Sequence, residues 1–76
     1  MDEEKIVIDW VVQSLVDERI KQGVTQQEIA ELTGMQAPNI TRIESCRHTT
    51  SLKVLMKYAE ALGKQISIDI KDKEEE

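Results

Sequence analysis

The sequence predicts a mostly α-helical single domain over residues 1–76, with four main helices and a short C-terminal strand. The length of 76 residues is typical of one small domain. Aliphatic residues recur at three- and four-residue spacing through most of the chain, which indicates amphipathic helices. Near the end the period changes to two, because isoleucines alternate with polar residues, and this pattern indicates a half-buried strand.

The first helix is predicted over residues 8–22 and ends at Gly23, a residue type that suits the position after a helix. Residues 5–8 fit either the first turn of this helix or a short strand, because β-branched side chains favour strands. Of the two, the helix is preferred. The apolar positions expected to face the core are Ile8, Val11, Val12, Leu15, Val16 and Ile20.

Residues 25–45 are predicted to form two short helices joined by a tight turn. Thr25 is a good N-cap, and Glu28 three positions later completes a capping box. Gly34 ends this helix because glycine adopts the left-handed conformation without steric cost. A second helix follows over residues 37–45. Two short helices around a glycine turn form the helix-turn-helix motif, whose second helix enters the DNA major groove in many repressors.

The fourth helix is predicted over residues 50–62, with Thr49 as its cap. Residues 65–70 form the strand, and residues 72–76 are a charged tail. A single strand cannot satisfy its own backbone groups, so it must pair either with a second copy of itself or with residues 5–8. Further residues expected to pack in the core are Ile29, Ala30, Leu32, Ile40, Ile43, Leu52, Leu55, Met56, Ala59, Leu62, Trp10 and Tyr58.

The net charge of −5 is unevenly distributed. Residues 1–18 hold one basic and six acidic side chains, residues 19–64 hold seven basic and four acidic, and residues 65–76 hold two basic and five acidic. The helix-turn-helix segment is therefore basic. The acidic ends are expected to lie away from DNA, because phosphates would repel them.

The sequence shows neither a pattern typical of membrane targeting nor one typical of catalysis. The first residues are acidic and no apolar run approaches the length of a membrane span, so we expect a cytoplasmic protein without a membrane anchor. The single cysteine excludes an internal disulfide. One histidine, one cysteine and scattered carboxylates offer no metal spacing and no nucleophile–base pair, so neither an enzyme nor a metal or cofactor is expected.

Several short motifs, in this order along the chain, are shared with a known family: Thr25-Gln26, Ala30, Gly34, Ile40, Arg42-Ile43-Glu44 and residues 52–62. Over residues 11–70 the chain resembles the Cro/repressor-type (Xre-like) helix-turn-helix proteins. Arg42-Ile43-Glu44-Ser45 followed by Ala59-Glu60-Ala61-Leu62-Gly63-Lys64 looks most like the antitoxins of toxin–antitoxin pairs. The resemblance implies a transcriptional regulator that binds operator DNA as a homodimer, represses its own operon and binds a toxin.

The same resemblance implies which residues contact DNA. The exposed face of the second helix of the motif offers Gln36, Ala37, Pro38, Asn39, Thr41 and Arg42. Relatives turn the positions matching Gln36, Ala37, Pro38 and Arg42 toward base edges, and the planar fork of Arg42 suits guanine. Many relatives carry glutamine at the position of Ala37, so a methyl contact to thymine replaces one polar contact here.

The resemblance also implies a phosphate contact of Gln26 and one ion pair, while the place of Arg47 just after the second helix of the motif indicates a further phosphate contact. Relatives place the glutamine that matches Gln26 on a backbone phosphate, and Arg47 is expected to reach phosphate too. His48 is either a further phosphate contact or an ordinary loop histidine. Arg19 and Glu44 match a pair that forms a structural salt bridge in relatives.

Cys46 stands where relatives usually have glycine, so it must accept a left-handed conformation or change the end of the helix. A neutral substitution is the favoured interpretation and a redox-sensing thiol the alternative.

Two alternative functions of the protein also stay open. One is a phage-type or metabolic repressor without a toxin partner. The other is a protein-interaction module that has lost DNA binding, which Ala37, Pro38 and the acidic balance favour.

Overall fold

The computed structural model describes residues 3–72. Within them the chain forms four helices: α1 (Glu3–Gln22), α2 (Gln26–Thr33), α3 (Ala37–Glu44) and α4 (Leu52–Ala61). The predicted mostly helical class is confirmed. None of the helices in residues 3–72 is both long and apolar enough to cross a membrane.

Helix α1 begins at Glu3, five residues earlier than predicted, and includes residues 5–8. The preferred helical interpretation of that segment is therefore right, and the strand interpretation is wrong. Acidic residues in the first turn and basic residues in the last turn complement the helix dipole. Gly23, with φ of 72°, ends the helix, and the Val24 N–H donates back to the Arg19 carbonyl at 3.0 Å.

The two helices of the motif begin and end as their sequence indicates. The Thr25 hydroxyl accepts from the Glu28 N–H at 3.0 Å, and the Glu28 carboxylate accepts from the Thr25 N–H at 3.2 Å, so the capping box is present. Gly34 is left-handed with φ of 75° and turns the chain toward α3. Pro38 lies in the first turn of α3, where its missing N–H costs no helical hydrogen bond.

Helix α4 begins two residues later than predicted. Its N-cap is Ser51, whose hydroxyl accepts from the Val54 N–H at 3.3 Å, so the expected cap at Thr49 is wrong. Serine is a somewhat better N-cap than threonine, but both residue types are favoured at this position. Composition alone could therefore not settle which of residues 49–51 caps the helix, and the structure assigns the cap to Ser51.

The core lies where α1 and α2 each pack against both α3 and α4. It consists of the buried side chains Val12, Leu15, Ile29, Ala30, Ile40, Ile43, Leu55, Tyr58, Ala59 and Leu62. Ile8, Val11 and Val16 are partly buried against it. Most of the predicted core is therefore confirmed, including Tyr58, which is 1% exposed.

Several apolar residues that were expected inside lie on the surface. They are Trp10, Ile20, Leu32, Leu52 and Met56, with exposed fractions from 39% for Leu52 to 71% for Trp10. α1 has 20 residues, whereas α2 and α3 have eight each. The short helices cannot cover the full length of α1 or both faces of one another, and a small chain has little surface to bury.

The strand predicted for residues 65–70 is not formed within residues 3–72, which contain no strand. Residues 64–72 have no regular secondary structure, and the proposed internal partner, residues 5–8, is helical. Ile66 packs against the core, whereas Ile68 and Ile70 are 64% and 96% exposed. Most of the predicted charged tail, residues 73–76, lies outside the described residues.

Candidate nucleic-acid interface

One face of helix α3 is buried in the core, and the opposite face is exposed. Ile40 and Ile43 are buried, and three-residue spacing places them on the same side of the helix. Among the residues expected to contact DNA, the exposed ones are Gln36, Pro38, Asn39, Thr41, Arg42 and Arg47, while Gln26 and Ala37 are half-buried. Ala37 packs against the core, so less of its methyl group is available than the sequence suggested.

Arg42 is an exposed donor on this face. Its guanidinium group has no hydrogen-bond or ion-pair partner among residues 3–72, although its carbonyl accepts from the Ser45 hydroxyl at 2.7 Å. Asn39 lies one turn before it on the exposed side of α3. A free guanidinium and an amide on one helical face can donate to acceptors on base edges or phosphates.

The end of α3 is fastened to α1 by an ion pair between Arg19 and Glu44. Arg19 Nε donates to Glu44 Oε2 at 2.9 Å, and Arg19 Nη2 donates to Glu44 Oε1 at 3.0 Å, which is a bidentate geometry. Arg19 Nη1 also donates to the Val24 carbonyl at 2.9 Å. The two side chains are 14% and 9% exposed, so the pair is largely shielded from water.

Glu44 accepts two further hydrogen bonds that the sequence did not suggest. The Tyr58 hydroxyl donates to Oε2 at 2.6 Å, and Gln26 Nε2 donates to Oε1 at 3.0 Å. Burial acts to raise the pKa of Glu44, but the hydrogen bonds from Arg19, Tyr58 and Gln26 outweigh it and hold that pKa below its ordinary value. Glu44 is thus a carboxylate with two donors on each oxygen, joining all four helices.

The side-chain amide of Gln26 makes a second hydrogen bond through its oxygen. The Thr41 hydroxyl donates to Gln26 Oε1 at 3.0 Å, so the amide lies between Glu44 and Thr41. No spacing in the sequence indicates this contact, because it joins residues of two different helices. A signal did exist for the Tyr58 bond, because a tyrosine at a core position usually needs a partner for its hydroxyl.

Cys46 adopts the left-handed conformation expected from its glycine-like position, with φ of 57°. Its carbonyl accepts from Lys5 Nζ at 2.6 Å, and Lys5 also pairs with Asp9 at 2.7 Å. Burial, followed by the nearby Asp9 carboxylate, raises the pKa of the Cys46 thiol. Thiolate is the reactive form, so this environment favours the neutral substitution over the redox-sensing thiol.

No group of three or more His, Cys, Asp or Glu side chains within residues 3–72 is arranged to hold a metal ion. The surface beside Arg42 instead has a shallow depression of about 270 Å³ between α3 and the start of α4. Its lining includes Asn39, His48 and Thr50, which are polar groups next to the exposed face of α3.

Comparison with known proteins identifies the family to which this chain belongs. The family model described as Helix-turn-helix matches residues 15–68. A protein of Haemophilus influenzae named "Uncharacterized HTH-type transcriptional regulator" is 33% identical over 58 residues, which are 76% of this chain and 59% of that protein. The chain thus spans less than two thirds of this relative. No solved structure is significantly similar to the chain. The matched segment contains α2, the Gly34 turn and α3, and the chain belongs to the helix-turn-helix family of the Cro/repressor type.

Proposed function

We propose that this protein is a sequence-specific DNA-binding transcriptional regulator that inserts α3 into the major groove of operator DNA. The observation that carries the proposal is the exposed face of α3, which presents the unpaired guanidinium of Arg42 while Ile40 and Ile43 fix the opposite face in the core. A rigid helix with free donors on one side is what direct readout of base edges requires. Membership of the helix-turn-helix family supports the same function.

The contacts divide into base readout and phosphate binding. Arg42 donates to the O6 and N7 acceptors of a guanine, and Gln36 and Asn39 donate to adenine edges or phosphates. Gln26 and Arg47 bind phosphate at the edge of the groove, so they fix register without reading sequence. Of these side chains only Gln26 is half-buried, and it keeps one amide proton free after its bond to Glu44.

The protein acts as a homodimer whose two-fold contact is the segment of residues 65–70. The segment alternates isoleucine with polar residues, has no ladder partner in residues 3–72, and borders an apolar groove of about 610 Å³ that Val7, Trp10 and Ile68 help to line. An extended segment with unpaired backbone N–H and C=O groups can pair with a strand of another chain. To enter successive major grooves, the two α3 helices of the dimer must lie about one DNA turn apart, roughly 34 Å.

Ending the chain after Gln65 tests the dimer contact. The truncated protein should sediment as a monomer at concentrations where the full chain is a dimer. It should also lose much more affinity for operator than for unrelated DNA, because only the operator engages two half-sites. A truncated protein that stays dimeric would place the dimer contact elsewhere.

The regulator represses its own operon as an antitoxin-type protein and binds a toxin. The motif Arg42-Ile43-Glu44-Ser45 and the segment 59–64 support this role by their resemblance to antitoxins. A small reading frame beside the gene, whose product co-purifies with this chain and arrests growth when expressed alone, is the expected finding. A gene without such a neighbour would indicate a phage-type or metabolic repressor of the same family.

The decisive experiment for DNA binding is selection of duplexes from a randomised pool by the full chain. We expect enrichment of a palindrome, and gel-shift titrations of that palindrome should show binding that weakens steeply with salt. A protein-interaction module would enrich no sequence and would bind neither the pool nor any duplex at low salt. That result would overturn the proposed function and favour the alternative that the exposed apolar side chains of α1 support.

A further inference from the structure

We infer that Tyr58 is a positioning residue for DNA binding, because its hydroxyl holds Glu44, and Glu44 fixes the side-chain amide of Gln26 beside α3. This inference rests on the proposed function. It concerns a residue of α4 whose side chain is 1% exposed and cannot itself touch DNA.

The hydroxyl of Tyr58 is the part of the side chain that calls for a role beyond packing. The ring fills the core, and a phenylalanine ring would fill the same space. The hydroxyl adds a 2.6 Å hydrogen bond to Glu44 Oε2. Bonds of this length between a hydroxyl and a carboxylate are strong and directional, so Tyr58 restricts how the Glu44 carboxylate can rotate.

The position of Glu44 Oε1 decides the orientation of the Gln26 amide. Oε2 is taken by Arg19 Nε and Tyr58, whereas Oε1 accepts from Arg19 Nη2 and Gln26 Nε2. A carboxylate oxygen accepts only, so the Gln26 amide must turn its nitrogen toward Glu44 and its oxygen away. That oxygen then receives the proton of the Thr41 hydroxyl at 3.0 Å.

Because the Gln26 amide is held in one orientation, its remaining N–H donor is held in one orientation as well. One proton of Gln26 Nε2 is used by Glu44, and the other is free. A phosphate oxygen accepts only, so the free N–H is the one group of this amide that can bind it. If the amide were reversed, its carbonyl oxygen would replace the nitrogen, and no donor would remain in that position. Tyr58 therefore keeps Gln26 in the state that can bind phosphate.

The test compares Tyr58→Phe with Ser51→Ala, both in the full chain. Ser51→Ala removes the N-cap of the same helix and has no contact with Glu44, so it is a matched control for loss of stability in α4. The DNA probe is the duplex that the wild-type chain selects from a randomised pool, at one fixed salt concentration. Thermal unfolding is recorded for each variant, so that binding is compared well below the unfolding transition.

Tyr58→Phe should weaken binding of this duplex by about 3- to 10-fold, within the usual range for coupling through contacting side chains. Ser51→Ala should leave binding within about twofold, since capping affects only the stability of the helix. In the Gln26→Ala background, Tyr58→Phe should have no further effect on binding, because the group through which it acts is gone. In the free protein, Tyr58→Phe should move the side-chain amide NMR signals of Gln26 toward those of an exposed glutamine.

The outcomes separate the two ideas. Wild-type binding that Tyr58→Phe does not weaken, or unchanged Gln26 amide signals in that variant, would overturn this inference and leave the proposed function intact. Equal effects of Tyr58→Phe in the wild-type and Gln26→Ala backgrounds would overturn it as well. Absence of wild-type binding to any duplex at low salt would overturn the proposed function, and the DNA-binding role of Tyr58 with it.

Discussion

Replacing Arg19 by alanine should destabilise the fold severely, because it removes three hydrogen bonds at once. Two of them go to Glu44 and one to the Val24 carbonyl. Breaking one partner of a fully buried ion pair costs about 3–5 kcal/mol. Glu44 is only 9% exposed but keeps its bonds from Tyr58 and Gln26, so we expect a smaller loss, about 2–3 kcal/mol. For a domain of this size that lowers Tm by about 10–20 °C.

Urea denaturation followed by circular dichroism measures this loss. The control is Lys21→Ala, two positions further along α1, whose exposed side chain should change the free energy of unfolding by less than about 0.5 kcal/mol. A double-mutant cycle of Arg19→Ala and Glu44→Ala should show a coupling of about 0.5–3 kcal/mol. Coupling indistinguishable from zero, or equal effects of the two alanine replacements in α1, would refute the reasoning.

Three further predictions concern stability. The fold lowers the pKa of Glu44, so the ionised carboxylate stabilises the protein above the ordinary value of 4.5, and this stabilisation is lost as pH falls through the folded pKa. The free energy of unfolding should therefore fall more steeply with acid in wild type than in Glu44→Gln. Cys46→Gly should be more stable than Cys46→Ala by about 1 kcal/mol, because φ of 57° strains any side chain; equal stabilities would contradict this. Gly34→Ala should cost about 1 kcal/mol in denaturant melts from backbone strain alone, since an added Cβ meets no atom within 4 Å; a neutral effect would argue against the left-handed turn.

Local chemistry made the motif predictable from sequence. Thr25 and Glu28 satisfy orphan N–H groups at a helix start, and Gly34 adopts the left-handed helix end without the steric cost of a side chain. These signals act over three or four residues, so no tertiary information is needed. Ile40 and Ile43 were predictable for the same reason, because their spacing alone puts them on one face of α3.

Features that depend on distant residues were not predictable in this way. Apolar spacing shows which face of a helix avoids water, but not whether a neighbour is long enough to cover it, which is why Trp10 and Leu32 are exposed. The bond from Tyr58 to Glu44 and the bond from Thr41 to Gln26 each join residues at least 14 positions apart. The resemblance to relatives supplied the partners Arg19 and Glu44, but not the two neutral donors that share the same carboxylate.

The C-terminal segment shows a different limit. Its period of two is a real preference for an extended chain, yet a strand exists only where another strand supplies hydrogen bonds. Residues 5–8 are helical and cannot do so. The pattern in residues 65–70 therefore indicates an extended segment for which residues 3–72 supply no pairing strand.

The measurement that tests the central claim most directly is base preference at α3. Wild type and Arg42→Ala are titrated, at matched salt, against the selected duplex and its single-base variants. We expect Arg42→Ala to bind the selected duplex about 5- to 150-fold more weakly, which is 1–3 kcal/mol, and to lose preference at one G·C pair while keeping the others. Unchanged affinity and unchanged preference at every position would contradict the claim that α3 reads DNA through Arg42.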